Sequence, residues 1–532
     1  MERIRYHILI AISTLLGLTA CGDFLEEYSQ DTDYVRSWVD LDELLIGDCY
    51  IKPDYSNGFY YHPNYAQFLH LITDEVEENN SSYGDGGQDF DNHEAEYGYY
   101  TWQQRVGINE THTGFTTENE TWKKLYKSIN IANNVLYSAS KLEQKTDADR
   151  EGSARVTGEA YFIRAFFYFY LVNMYGQPYN PQTAATDLGV PIKTSAEVID
   201  VKYSRNSVEE VYNQILSDLK AAEEKLTLVK TEKKSIYRAD LTAVYLLTSR
   251  VYLYMQNWPK AAEYARMTIE RHPQLQDLNS NTNRFMLASN PENIFSTGGD
   301  DVPVMLYHGY KGLRVSEQQY QLYSQRDLRL KQWLWKYGVF NGLTMRENTN
   351  KYNPAPQPSE AAFYWKNYSY GAQDRRAEVS SVFWMRSAEA YLNLAEAEAY
   401  QGNDQKAKTA LQQLLKNRYE NGAPEITANN TGEQLIKTIR LERRREFILQ
   451  GQRWFDLRRY RVCQVQPEKK SITHDYTVFK ERNSIAVSEV RRFVLTEDDN
   501  SWTLPIPHEV LDYNTGMQGN NNQWREYTIV NN

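Results

Sequence analysis

The stretch that most constrains the fold is YFIRAFFYFYLV, Tyr161 to Val172. It is apolar nearly all round, so a helix made from it has no polar face to give to water and belongs at the centre of the molecule. The helix is expected over Arg155–Tyr175, with Gly176 ending it in a left-handed stop. Other helices must cover it, and the periodic segments supply them. From Trp122 to Leu142, the residues Trp122, Leu125, Tyr126, Ile129, Ala132, Leu136 and Ala139 follow the spacing of one buried face. Alternating strand patterns are few, so the fold class read here is all-α.

Leu241 to Pro273, LTAVYLLTSRVYLYMQNWPKAAEYARMTIERHP, resembles a tetratricopeptide unit. Tyr245, Ser249 and Tyr252 lie on its first helix, Ala261 and Ala265 on its second, and Pro273 closes it. A similar unit follows in RSAEAYLNLAEAEAYQGNDQKAKTALQQLL, with Tyr391, Leu394, Ala395, Ala407 and Leu411 in matching places. GEAYFIRAFFYFYL starts in the same way with Tyr161, Ala165 and Tyr168. The expected architecture is therefore tetratricopeptide-like helix pairs stacked in a curved right-handed scaffold, with long loop insertions packed against it.

At the N-terminus, Arg3, Arg5 and His7 precede an apolar run from Ile8 to Ala20, too short to cross a bilayer and laid out as a signal peptide. Leu18-Thr19-Ala20-Cys21 resembles the bacterial lipobox, which makes Cys21 a lipid-attachment residue and an outer-membrane anchor. The expected parts are a leader at 1–20, an N-terminal part at 21–240 with an aromatic insertion, and a C-terminal part at 241–532 with a second insertion. Cys49 and Cys463 are far apart and form no CxxC or Cys/His cluster, so a disulfide framework and a zinc site are not expected. A net charge of −11 argues against a nucleic-acid partner, which requires a basic surface to displace phosphate counterions.

Several blocks in order resemble the SusD/RagB family: the lipobox, GEAYFIRAFFYFYLVNMYGQPY, RSAEAYLNLAEAEA, LERRREFILQGQRWFDLRRY and LPIPHEVLDYNTGMQGN. The family's usual Asn-Pro-Gly ending is loosened to Met517-Gln518-Gly519-Asn520. The resemblance implies a cell-surface lipoprotein that binds oligosaccharide and serves as the lid of a SusC-like TonB-dependent outer-membrane transporter. It implies no enzymatic activity and no cofactor. A RagB-like peptide binder is the alternative; a surface glycoside hydrolase and a protein-interaction scaffold are less favoured. Within LERRREFILQGQRWFDLRRY, one helix is expected from Thr438 to Tyr460. Glu442 and Glu446 sit beside Arg443, Arg444 and Arg445 at ion-pair spacing on it, with Trp454 and Phe455 as core anchors.

Two segments gather aromatic residues among glycines and acids, the pattern of a site that stacks sugar rings and hydrogen-bonds their hydroxyls. The first, Ser81 to Gln104, reads as a loop with Tyr83, Tyr97, Tyr99, Tyr100 and Trp102. The second, Thr297 to Ser324, carries Tyr307, His308, Tyr310, Tyr320 and Tyr323. By position, the candidate ligand-binding residues are Asp74, Tyr83, Trp102, Tyr307 and Tyr310. Asp85, Asp89, Asp91, His93 and Glu96 give a weak calcium pattern, against which Phe90 stands where the tight turn needs glycine. An acidic solvated loop is the preferred reading there, with no metal. No HExxH, GxSxG, GxGxxG or P-loop pattern is present.

Overall fold

The computed structural model describes residues 35–50, 65–78, 90–113, 118–197, 199–231, 235–280, 285–298, 313–337, 340–343, 379–422, 430–481 and 486–530. Ten helices of nine residues or more run through these residues. They are α1 (Phe90–Tyr100), α2 (Glu120–Ala139), α3 (Asp147–Tyr175), α4 (Val208–Leu226), α5 (Leu241–Tyr254), α6 (Trp258–Arg271), α7 (Ser387–Tyr400), α8 (Asp404–Leu415), α9 (Gly432–Glu446) and α10 (Arg453–Arg461). From α2 to α8 each packs against its successor, and α9 closes on α7 and α8.

The central helix is α3. Thr146 caps its start in a reciprocal pair with Asp149, which satisfies two of the free N–H groups of the first turn. Every residue from Phe162 to Tyr175 is buried. Phe162 and Phe166 set their rings edge-on to Phe295, at 5.2 and 5.5 Å between centroids, and the Tyr170 hydroxyl donates to the carbonyl of Val382 at 2.8 Å. The helix thus joins parts of the chain more than a hundred residues apart.

Gly176 ends α3, but in extended backbone (φ −94°, ψ 166°) rather than a left-handed stop. Close approach is what requires glycine: a Cβ there would lie 2.8 Å from the carbonyl oxygen of Val172. The unpaired carbonyls of the last turn are met by side chains from distant segments. Arg458 donates to Asn173 and Gly176, Arg205 to Tyr175 at 2.9 Å, and Asn520 to Tyr175 at 2.8 Å. Two cations at a helix C-terminus also complement its dipole. Asn520, in the loosened ending, is thereby one of the residues that lock the C-terminal segment onto the core.

The all-α expectation needs correction, since the mainly helical body carries nine short strands among its described residues. They are β1 (Val76–Glu78), β2 (Asn293–Ser296), β3 (Leu313–Val315), β4 (Leu334–Tyr337), β5 (Phe340–Leu343), β6 (Trp384–Arg386), β7 (Ile472–Phe479), β8 (Val487–Leu495) and β9 (Tyr527–Val530). Pairs β1–β3, β2–β6 and β4–β5 are antiparallel, and β7, β8 and β9 form an antiparallel sheet in that order. Most of these strands span three or four residues, too few for a period of two to register. Residues 90–100, expected in a loop, form α1.

The expected helix Thr438–Tyr460 is two helices. Between α9 and α10, Leu449 (φ 50°) and Gly451 (φ 68°) turn through left-handed backbone. The acid–arginine pattern then pairs mostly across elements instead of along one helix. Glu446 accepts from Arg386 at 2.6 Å, Arg418 at 2.8 Å and Arg329 at 3.0 Å, all fully buried. Glu292 shares Arg386 and Arg418, Arg443 meets Asp456 at 3.1 Å, and Arg459 meets Glu396 at 2.6 Å. Burial works against the Glu446 charge, but the three guanidinium groups outweigh it and hold the carboxyl well below the usual range. Trp454 and Phe455 are core residues, as expected.

Candidate functional site

The site is organised by the shortest of the antiparallel pairs. In the β1–β3 ladder Val76 faces Val315, Glu77 faces Arg314 and Glu78 faces Leu313. Residues 79–89 leave the described chain at Glu78, and residues 299–312 rejoin it at Leu313. The two aromatic segments singled out from the sequence are therefore tethered to partner positions of a single ladder. Strand β5 packs on β3, and Asn341 on it donates to Glu317, just past β3, at 2.8 Å. Residues 344–378, which include Tyr364 and Trp365, leave β5 at Leu343.

A three-residue ladder is too short to hold itself in water, and charged side chains brace it from behind. Asp74 receives both Nε and Nη2 of Arg453 at 2.8 Å each, and Nη2 of Arg444 at 3.2 Å. Burial would raise its carboxyl, but the two arginines pull it well below the ordinary range. Its backbone carbonyl accepts from Ser316 at 2.8 Å, which ties the end of β3 to the same corner. Glu75 differs: burial pushes its carboxyl up to about 8, and Leu449 N–H donates to one of its oxygens at 3.1 Å.

Glu78 ends the ladder and joins three elements. It accepts from the backbone N–H of Thr477 at 3.0 Å, from the Thr477 hydroxyl at 2.7 Å and from His93 Nε2 at 2.9 Å. The other ring nitrogen of His93 meets the Tyr476 hydroxyl at 2.9 Å, and the two rings stack at 4.2 Å. Helix α1, which follows residues 79–89, is thus fixed to β1 and β7.

Trp102 lies beneath this corner. It is 3% exposed, its indole N–H donates to Ile72 at 3.1 Å, and its backbone is left-handed at φ 53°, a costly conformation for a bulky residue. His474 is sandwiched between Trp102 at 4.4 Å and Tyr100 at 4.1 Å. Both of its ring nitrogens face carbonyl oxygens, that of Tyr100 at 2.7 Å and that of Thr73 at 2.9 Å. Burial outweighs the pull of the two carbonyls and lowers the ring's pKa to about 4, although only the doubly protonated form would donate to both.

The sequence candidates separate accordingly. Asp74 and Trp102 converge on the β1–β3 corner, Asp74 as an ion-paired brace and Trp102 as a buried wedge with no free ring face. This placement departs from the ligand contacts expected of them. Tyr97 and Tyr100 are buried on α1, and Tyr99 stacks flat on Phe68 at 4.3 Å. Tyr83, Asp85, Asp89, Tyr307, Tyr310 and Cys21 lie outside the described residues. Asp91 and Glu96 lie on α1, and no group of three or more metal-binding side chains occurs among the described residues. The sequence reading missed His474 and Tyr476, whose polar and aromatic alternation in ITHDYTVF was the available signal.

This helical body with short strand pairs is shared by solved SusD superfamily structures. A SusD-like carbohydrate binding protein from Bacteroides vulgatus matches with TM-score 0.62 at 20% identity, over 91% of this chain and 97% of that one. A SusD superfamily protein from Bacteroides thetaiotaomicron matches with TM-score 0.63 at 20% identity, over 91% and 99%. Residues 60–253 match the family model described as starch-binding associating with outer membrane, and residues 305–524 match that of the SusD family. The chain belongs to the SusD/RagB family. Among relatives in Formosa agariphila, SusD-like protein P2 is 32% identical over 149 residues, 28% of this chain and 26% of its own length. SusD-like protein P38 is 22% identical over 410 residues, 68% of this chain and 76% of its own length. The match to the first thus spans about a quarter of that relative. No described helix is long and apolar enough to cross a membrane.

Proposed function

We propose that the chain is a cell-surface lipoprotein, anchored through Cys21, that binds oligosaccharide at the β1–β3 edge and passes it to a SusC-like TonB-dependent transporter as its lid. The observation that supports the ligand assignment is that residues 79–89, with Tyr83, and residues 299–312, with Tyr307 and Tyr310, join the chain at Glu78 and Leu313, partners in one ladder. Tyr83, Tyr307 and Tyr310 are the proposed ligand contacts, and Asp74 and Trp102 hold the corner to which their segments connect. Tyrosine offers an apolar face for a sugar ring and a hydroxyl for its polar rim. The family model's description and the solved carbohydrate binding relative support glycan as cargo. The packing of each helix on the next supports the tetratricopeptide-like scaffold as the support for that edge.

Native affinity electrophoresis of residues 22–532 through gels cast with plant, microbial and host polysaccharides tests this reading. Retardation by at least one polysaccharide is expected and names the substrate class. Free migration through all of them, with a peptide mixture bound in its place, would transfer the site to the RagB-like reading.

A further inference from the structure

A second concavity lies on another part of the molecule. Its walls are Trp122 and Tyr126 from α2, Pro191, Lys193 and Tyr203 from the segment between α3 and α4, and Val510, Asn514 and Met517 near the C-terminus. It encloses about 160 Å³. An engineered apolar cavity of about 150 Å³ takes up one benzene ring, so the space suits a single six-membered ring. None of its walls belongs to the β1–β3 corner.

The chemistry of the walls selects the ring. Trp122 and Tyr126 lie 4.9 Å apart at 42°, and with Val510 and Met517 they supply an apolar side. Asn514 is committed to the frame, accepting from Tyr203 N–H at 2.9 Å and donating to Val510 at 3.0 Å. Three other polar groups keep capacity. Lys193 gives one N–H to Asn130 at 2.8 Å, and an ammonium has three. The Tyr126 hydroxyl donates to Pro191 at 2.8 Å and can still accept. The Tyr203 hydroxyl has no partner among the described residues. Just outside, exposed Tyr513 is fixed by its hydroxyl on Asp200 at 2.8 Å and by Lys202 at 3.7 Å from its ring. An apolar floor with separated donors and acceptors matches a pyranose, which has C–H faces and an equatorial belt of hydroxyls. No carboxylate lines the cleft to recruit a cation.

We infer that this cleft is a second carbohydrate site that holds one terminal pyranose of a glycan, separate from the site at the strand edge. The inference rests on the glycan reading above. It gives the protein two points of hold on one polymer, which raises retention through effective concentration without a tight site.

Met517 provides a direct readout. With ¹³C-methyl methionine in the full chain lacking residues 1–21, its signal is assigned by its loss in Met517→Leu. The protein is then titrated with the methyl glycosides of glucose, galactose, mannose and xylose. The Met517 signal is expected to shift saturably with at least one glycoside below about 50 mM, a weak but specific affinity. Tyr203→Phe keeps the ring and should weaken that response about three-fold or more, the effect of one hydrogen bond, with retardation in the polysaccharide gel mostly retained. A fixed Met517 signal with every glycoside, in a protein that gels still retard, overturns the second site alone. Silence in both assays overturns both readings. A Met517 response without gel retardation supports the cleft and counts against the strand-edge site. Identical titrations of Tyr203→Phe and the unmodified protein would remove Tyr203 from the proposed contacts.

Discussion

Glu446 shows what a single buried acid does in this protein. Three guanidinium groups converge on it, so removing its charge leaves cations in a dry interior with one counter-charge fewer. Glu446→Gln should cost about 3–5 kcal/mol, the usual penalty for breaking one partner of a buried pair. Urea unfolding would show this as a lower midpoint at unchanged slope; a loss under about 1 kcal/mol would place the group among solvent-screened pairs. Glu75 is the opposite case. Its carboxyl is raised from 4.5 to about 8 by burial, so between those values the folded state keeps a proton that the unfolded state has released. Stability from this group therefore falls as pH rises from 4.5 toward 8. Glu75→Gln keeps an acceptor for Leu449 N–H and removes the titration. Its melting temperature should exceed that of the unmodified protein at pH 8 and converge with it at pH 4; equal melting temperatures at pH 8 would mean that Glu75 is ionised in the fold.

The β1–β3 ladder owes its place to elements distant in sequence, since Arg444, Arg453, His93 and Thr477 all hold its residues or its approach. Trp102→Phe keeps an aromatic wedge but loses the indole N–H to Ile72. It should lower the melting temperature while leaving polysaccharide retardation at native strength. Lost retardation with an unchanged melting temperature would instead make Trp102 a ligand contact. The long helices were legible because a period of 3.6 repeats over many turns: the burial of α3 and the faces of α2, α5 and α7 follow from their residues. The helix break after Glu446 was not, since its first left-handed residue, Leu449, carries no compositional mark and a lone Gly451 inside a helical pattern is an ambiguous one. Neither was α1, where FDNHEAEYGYY shows aromatic and acidic residues without a clean stripe. The role of Asp74 was hidden because its partners lie some 370 residues later, and an ion pair across that span leaves no local pattern.

Taken as one body, the protein is a helical stack with short strand pairs at the proposed ligand edge. The sequence resemblance reached the family correctly because its blocks recur in order along nearly the whole chain. Within the aromatic segments, ligand contact was expected of residues that are buried, Trp102 above all. Aromatic residues that pack and those that bind look alike in composition, and only burial separates them. The two proposed sites differ in kind: a tethered pair of segments at the strand edge and a preformed cleft of about 160 Å³ between α2 and the C-terminal segment.

The most direct test is the affinity of Tyr83→Ala, Tyr307→Ala and their double variant for whichever polysaccharide retards the unmodified protein, with melting temperature recorded in parallel. Each single substitution should weaken retardation by about ten-fold or less, and the double variant should nearly abolish it, since an aromatic stacking contact contributes about 1–1.5 kcal/mol. Melting temperatures should stay unchanged. Full retardation of the double variant would contradict a carbohydrate site at the β1–β3 edge.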